Sequence, residues 1–178
     1  MSSITIRPVE KFPEPDFTRL QQEVFQDVQQ VSEGLAAVLQ AEAAARPSDL
    51  QPPAFAPMQR LGAYDGDRLV GWTNGWMERG NVWYMANSGV IAAYRRQGVY
   101  SRLLAEACAL ARAQGAVVVR SQHSVLNNPV LIAKLRAGFQ ISGLSTLAHM
   151  GTLVELSLHL TPERQALFRQ RVIPQVAP

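Results

Sequence analysis

Residues 90–104, Val-Ile-Ala-Ala-Tyr-Arg-Arg-Gln-Gly-Val-Tyr-Ser-Arg-Leu-Leu, impose an order on this chain: strand, basic glycine turn, helix. An apolar and aromatic run beginning at residue 82 leads in and reads as a strand, and an Ala/Leu-rich pattern leads out as a helix to about Gly115. The first N–H groups of a helix have no partner within it, and the helix dipole adds partial positive charge at the same place. Gly98 lets the backbone approach a ligand with no Cβ in the way, and Arg95 and Arg96 add full charges. Together these residues describe an anion site suited to a phosphate or pyrophosphate.

The flanking sequence supplies the other elements. Residues 4–8 alternate as a first strand. Asp16 is the candidate N-cap of a helix carrying Phe17, Leu20, Val24, Val28 and Val31 on one face, and Ser32 opens a second helix running to about Ala45. Four prolines from Pro47 to Pro57 exclude regular structure there, leaving a connector or a lid. Strands follow over 59–64, 69–77 and 82–91, joined by the turns Asp65-Gly66-Asp67 and Arg79-Gly80-Asn81. The helix over 99–114 places Leu103, Ala107, Leu110 and Ala111 on a core stripe. Val117-Val118-Val119 reads as a buried parallel strand. Asn127 or Asn128 caps the next helix, with Pro129 in its first turn and Gly138 at its end. Strands over 139–144 and 152–160 and a short helix over 163–172 complete the chain. Hairpins followed by a strand–helix–strand unit predict an α/β (α+β) fold with a mixed sheet of about seven strands. One domain is expected over 4–160, with 161–178 as a C-terminal helix and tail.

A composition of 47% hydrophobic and 17% charged residues is that of a globular chain. The net charge of +3 is dispersed apart from the Arg95-Arg96 pair, which favours a phosphate-bearing small molecule over nucleic acid. Cys108 is the single cysteine and lies in the Ala-rich helix pattern, so no intrachain disulfide is possible. With no signal-peptide core and no run of membrane-spanning length, the expectation is a cytoplasmic protein without a membrane partner.

In this setting Arg95-Arg96-Gln97-Gly98-Val99-Tyr100 resembles motif A of the GNAT superfamily of acetyl-CoA-dependent N-acetyltransferases, Arg/Gln-x-x-Gly-x-Gly/Ala. Tyr100 stands where Gly or Ala is usual. Residues 127–139, Asn-Asn-Pro-Val-Leu-Ile-Ala-Lys-Leu-Arg-Ala-Gly-Phe, resemble motif B, Asn-x-x-Ala-x-x-x-Tyr-x-x-x-Gly-Phe, through Asn127, Gly138 and Phe139. The order of elements from residue 4 to 160 matches as well. The resemblance implies a GNAT fold: an antiparallel first half, a parallel fourth and fifth strand splayed for acetyl-CoA, four flanking helices and a short C-terminal helix. It implies acetyl transfer to a primary amine of a small molecule or peptide by direct attack on the thioester. The alternative is an acyl-CoA-binding or sensor domain with little or no turnover.

For the cofactor the resemblance implies Val90, Ile91, Arg95, Arg96, Gln97, Gly98, Val99, Tyr100, Ser101 and Asn127. The pantetheine arm would pair with strand edges at 88–91 and 119–121, with Gly89 permitting a bulge or close approach. An N–H near Val90 or Ile91 would polarise the thioester carbonyl. No metal and no nucleic acid are implied, and a homodimer stays open. Where motif B has its Tyr, this chain has Lys134, which could stabilise a thiolate or, with a pKa lowered by burial, donate a proton, but for which a non-catalytic place on the solvent face or near the 3′-phosphate is expected. Residues 82–89 hold no Asp or Glu, so His123, just past the fifth strand, is the candidate general base, with an ordinary pKa near 6.5. Glu78 is a weaker candidate, and His149 and His159 read as structural. Trp72, Trp76, Trp83 and Tyr84 read as sheet-face residues, or as an acceptor pocket if one face is open.

Overall fold

The computed structural model describes residues 4–25, 38, 40, 41, 44, 45, 56–147 and 150–172. Seven strands form one sheet: β1 (Ile4–Pro8), β2 (Gln59–Asp65), β3 (Arg68–Glu78), β4 (Val82–Val90), β5 (Val118–Ser124), β6 (Gln140–Leu147) and β7 (Gly151–His159). Their spatial order is β1-β2-β3-β4-β5-β7-β6. Every neighbouring pair is antiparallel except β4 and β5. The described helices are α1 (Asp16–Val24), α2 (Val99–Ala113), α3 (Asn128–Arg136) and α4 (Pro162–Val172). The second helix expected over 32–45 falls largely outside the described residues, although 38, 40, 41, 44 and 45 are helical. Most of the Pro47–Pro57 segment, and His149, also lie outside them.

Asp16 is the first residue of α1 and not its cap. The N-cap is Pro15, which has no side chain to accept a bond, and Glu14 before it takes over part of that role, its carboxylate accepting from the Thr18 amide (3.2 Å) and hydroxyl (2.9 Å). The buried stripe of α2 is Val99, Leu103, Leu104, Ala107, Cys108 and Ala111, at the i, i+4 spacing of one helix face. It packs on Leu61, Ala63, Val70, Trp83, Met85 and Val119 of the sheet. A Cβ on Gly71 would meet Leu103 of α2 at 3.3 Å, so Trp72, next along β3, points to the opposite face. There it joins Phe12, Tyr64 and Leu69 under Phe17, Leu20 and Val24 of α1. Phe17 meets the indole edge-on, with ring centroids 5.3 Å apart. Trp72 and Trp83 are thus core residues, one in each layer, each stabilising the fold by roughly 2–3 kcal/mol of apolar burial.

Gly89 serves close approach and not a bulge. An added Cβ would lie 2.4 Å from the Trp72 ring. The irregularity in β4 is three residues earlier: Asn74 pairs with Asn87 and Gly75 with Met85, leaving Ala86 as the extra residue.

Two glycine substitutions should separate packing from backbone strain. Gly89→Ala should destabilise by about 1–3 kcal/mol through overpacking against Trp72, lowering the melting temperature by roughly 2–4 °C per kcal/mol. Gly98 has open space where a Cβ would stand, but a φ of +77. Gly98→Ala should therefore cost only about 1 kcal/mol, as backbone strain. Thermal melts of the two variants test the ranking.

Candidate active site

β4 and β5 pair at three positions only: Val82 with Val118, Trp83 with Val119 and Tyr84 with Arg120. Beyond Tyr84 the β4 strand stays on β3 as far as Val90, and beyond Arg120 the β5 strand stays on β7 as far as Ser124. The facing edges diverge, leaving a slot lined by backbone groups without strand partners. The splay is as expected, but the free β5 edge begins at Ser121, because Val119 and Arg120 belong to the ladder. His123 lies inside β5, paired with Val154, and not past its end. The Ile91 amide donates to the Val70 carbonyl (3.1 Å) and is not available to a ligand. By strand alternation the amides of Val90 and Ser88 face the slot. The Val90 carbonyl accepts from Arg95 Nε at 2.9 Å.

The mouth of the slot leads into the basic turn. A short 3₁₀ segment, Ala92–Tyr94, is followed by Arg96 and Gly98 at φ of 61° and 77°. Positive φ at closely spaced residues forms the concave array of N–H groups that binds anions. The first bond of the α2 ladder runs from the Arg102 amide to the Gly98 carbonyl, 3.0 Å. Among the described residues the amides of Val99, Tyr100 and Ser101 have no backbone acceptor, and no side chain caps them. Arg95, Arg96, Gln97 and Gly98 are exposed. Gln97 Nε2 donates to the Ala93 carbonyl (2.8 Å), bracing the turn. The Tyr100 ring packs against the core and so leaves the turn clear, which explains how a large residue replaces Gly or Ala there. Its hydroxyl is buried without a described partner, and burial raises its pKa. Asn127 Oδ1 accepts from the Val130 amide at 3.4 Å and caps α3.

The inner end of the slot is bridged on both faces of the sheet. On one face the Tyr84 hydroxyl of β4 donates to Gln122 Oε1 of β5 (3.2 Å). Gln122 Nε2 in turn donates to Glu155 (2.7 Å) and Ser145 (3.1 Å). The Tyr84 ring also lies tilted against Trp76, centroids 5.1 Å apart, and Arg120 lies over it and pairs with Glu78 at 2.8 Å. Glu78 is therefore tied to Arg120, away from the slot's open stretch.

On the other face stands Lys134, and its position overturns the expectation of an exposed side chain. It is 0% exposed. Its Nζ donates to Ser121 Oγ of β5 (2.6 Å) and to Met85 Sδ of β4 (3.2 Å), and lies 4.5 Å from the centre of the Phe139 ring. These are the first residues of each strand beyond the shared ladder. Among the described residues no carboxylate lies within ion-pair distance of Nζ. Burial without a counter-ion pushes its pKa down from 10.5 to about 7. His123 Nε2 lies 3.2 Å from the same Ser121 hydroxyl. Burial, helped by the Lys134 charge, pushes the imidazole down to about 3, so His123 is neutral near pH 7 and not close to its ordinary ionisation. Ser121, also 0% exposed, is expected only as part of the strand edge, and its side-chain contacts are what the sequence did not reveal.

Lys134 makes stability pH-dependent. Below about pH 7 both folded and unfolded chains carry the charge, and the folded one bears the full cost of burying it. Between about pH 7 and 10.5 the unfolded chain binds more protons, so stability rises with pH. Lys134→Met, which keeps the apolar stem and removes the charge, should raise the melting temperature by several degrees at pH 6. The gain should shrink steadily as pH approaches 10, in melts recorded across that range.

Residues 15–139 match the model of the Acetyltransferase (GNAT) family. No curated protein sequence matches the chain. Among solved structures, the ribosomal-protein-S18-alanine N-acetyltransferase from Escherichia coli superposes with a TM-score of 0.64 at 12% identity, over 89% of this chain and 95% of that one. An acetyltransferase from Bacillus subtilis in complex with CoA gives 0.63 at 14% identity, over 89% and 100%. Nourseothricin acetyltransferase gives 0.54 at 22% identity, over 58% of this chain, which spans only 66% of that enzyme's length. These likenesses extend to the fold, including the parallel β4/β5 pair and the mixed seven-stranded sheet. With the matched segment covering the α1-to-Phe139 body that carries the slot and the turn, the chain belongs to the GNAT acetyltransferase family.

Proposed function

We propose that the chain transfers an acetyl group from acetyl-CoA to a primary amine of a small molecule or peptide. The observation that carries this reading is the continuity of the β4/β5 slot with the uncapped N-terminus of α2. The pyrophosphate takes the amides of Val99, Tyr100 and Ser101, with Arg95 and Arg96 adding charge at the rim. The pantetheine arm runs into the slot, where its amides meet the edge groups of β4 and β5. Val90, next to the turn, and Ser88, nearer the inner end, present amides to the arm and to the thioester carbonyl. Asn127 combines its capping role with a place at the start of α3, beside the arm.

Catalysis in this arrangement is chiefly positioning. The amine attacks the thioester carbon directly, the new C–N bond forms, the C–S bond breaks, and coenzyme A leaves as its thiol. Trp76 and Tyr84, partly exposed, flank the inner end on the face opposite Ser121 and His123. An acyl-CoA-binding domain without turnover would use the same slot, and thiol release with an amine panel distinguishes it from the enzyme.

Acetyl-CoA at about 100 times its Kd should stabilise the protein by about 2.7 kcal/mol, a rise of roughly 5–10 °C in melting temperature. No shift at millimolar acetyl-CoA would count heavily against the reading. Gly98→Val should abolish binding while keeping a cooperative melt. Arg96→Ala should weaken binding only partly, and the loss should shrink as salt screens the rim charge. Calorimetric titrations at two salt concentrations check both.

A further inference from the structure

A buried lysine without a counter-ion is costly to retain, and the surroundings of Lys134 define a single protonic route to its amine. Its polar side-chain neighbours among the described residues are Met85 Sδ and Ser121 Oγ. A thioether carries no proton. Ser121 is itself fully buried, and its remaining side-chain partner is His123 Nε2 at 3.2 Å. His123 is partly exposed and stands on the stretch of β5 that β4 leaves unpaired, on the wall of the slot. The titratable groups near the amine are His123 from β5 and Cys108 from α2. Burial raises the Cys108 thiol, which therefore stays protonated near neutral pH and offers the amine no negative charge.

We propose that His123, Ser121 and Lys134 form a proton relay, in which His123 meets the reacting amine and Lys134 is the buried terminal base. The proposal rests on the acetyltransferase reading and gives that site its missing base. His123 alone is too weak a base to hold the proton, and Lys134, at the inner end, is itself fully buried. As the amine nitrogen bonds to the carbonyl carbon it loses a proton to His123 Nδ1. With Lys134 neutral the Ser121 hydroxyl donates to the Nζ lone pair across the same 2.6 Å, so the Nε2 proton of His123 passes to Ser121 Oγ as the Ser121 hydroxyl proton passes to Lys134 Nζ. When the C–S bond breaks, the same three transfers run backwards and deliver the proton to the departing sulfur. Lys134 begins and ends neutral, and the net movement is one proton from amine to thiolate. The return runs downhill, because an ordinary thiol has a pKa near 8.5 and Lys134 about 7. His123 is the catalytic residue of the three; Ser121 and Lys134 act through it.

The test follows thiol release from acetyl-CoA with hydroxylamine, an acceptor that is neutral at pH 7 and needs no dedicated pocket. In the parent, kcat should rise with pH through a midpoint near 7. Ser121→Ala should lower kcat by about 100-fold or more, remove that midpoint and leave the KM for acetyl-CoA unchanged. Ser121→Thr, which restores the hydroxyl, should recover rate and midpoint together. His123→Gln should behave like Ser121→Ala, and so should Lys134→Arg, which cannot give up its proton. Parent-like kcat and midpoint in Ser121→Ala would overturn the relay while leaving the acetyltransferase reading intact. Absence of calorimetric acetyl-CoA binding to the parent would instead overturn the reading on which the relay depends.

Discussion

The structure depends on a ladder that stops early. After three residue pairs β4 and β5 cease to bond to each other, and the sheet becomes two half-sheets joined at one end. Everything at the site follows from that divergence. The edge amides of β4 have no strand partner, the turn after Val90 emerges at the open end, and α2 starts with its own amides unsatisfied beside it. The inner end cannot close further, because side chains occupy it on both faces: Tyr84 with Gln122 on one, Lys134 with Met85 and Ser121 on the other. Ala86, the extra residue in β4, sits next to this junction, where the strand changes course.

Lys134 is the part of the site that stability alone would not select. Its stem fills core volume that a methionine or leucine would fill without desolvating a charge. Its amine is satisfied by a hydroxyl, a sulfur and a ring face, none of which compensates an ammonium as a carboxylate would. The outcome is a group that changes charge near neutrality in the interior of an otherwise apolar layer. Perturbed groups of this kind, placed at the wall of a cleft, are a mark of functional sites. Here the group stands where the two strands part.

Much of the architecture was legible because its signals are local. The basic glycine turn, the apolar stripe of α2 and the Gly138-Phe139 end of α3 are read from adjacent residues, and all stand where the sequence puts them. What escaped notice depends on partners distant in the chain. β5 reads as three valines because its remaining residues, Arg120 to Ser124, are polar; it continues as a strand because β7 holds it. Lys134 reads as exposed because lysine usually is, and only the placement of α3 over Met85 and Ser121 buries it. Tyr100 reads as an intrusion into the turn until its ring is seen in the core. Gly89 suggested a bulge or a close approach, and only the fold shows that what approaches is Trp72, seventeen residues upstream.

Each wall of the slot is supported from behind. β4 is bonded to β3 at eight registered positions and β5 to β7 at seven. Neither wall needs the other, or an occupant, to keep its shape. An extended, flexible thioester arm entering such a slot loses its own freedom but orders little of the protein, so the conformational entropy spent on association falls mostly on the ligand. A site of this kind discriminates poorly by induced closure and well by fit. On the acetyl-transfer reading proposed for the slot, bulkier acyl groups would therefore be refused by the fixed inner end and not by any rearrangement of the strands.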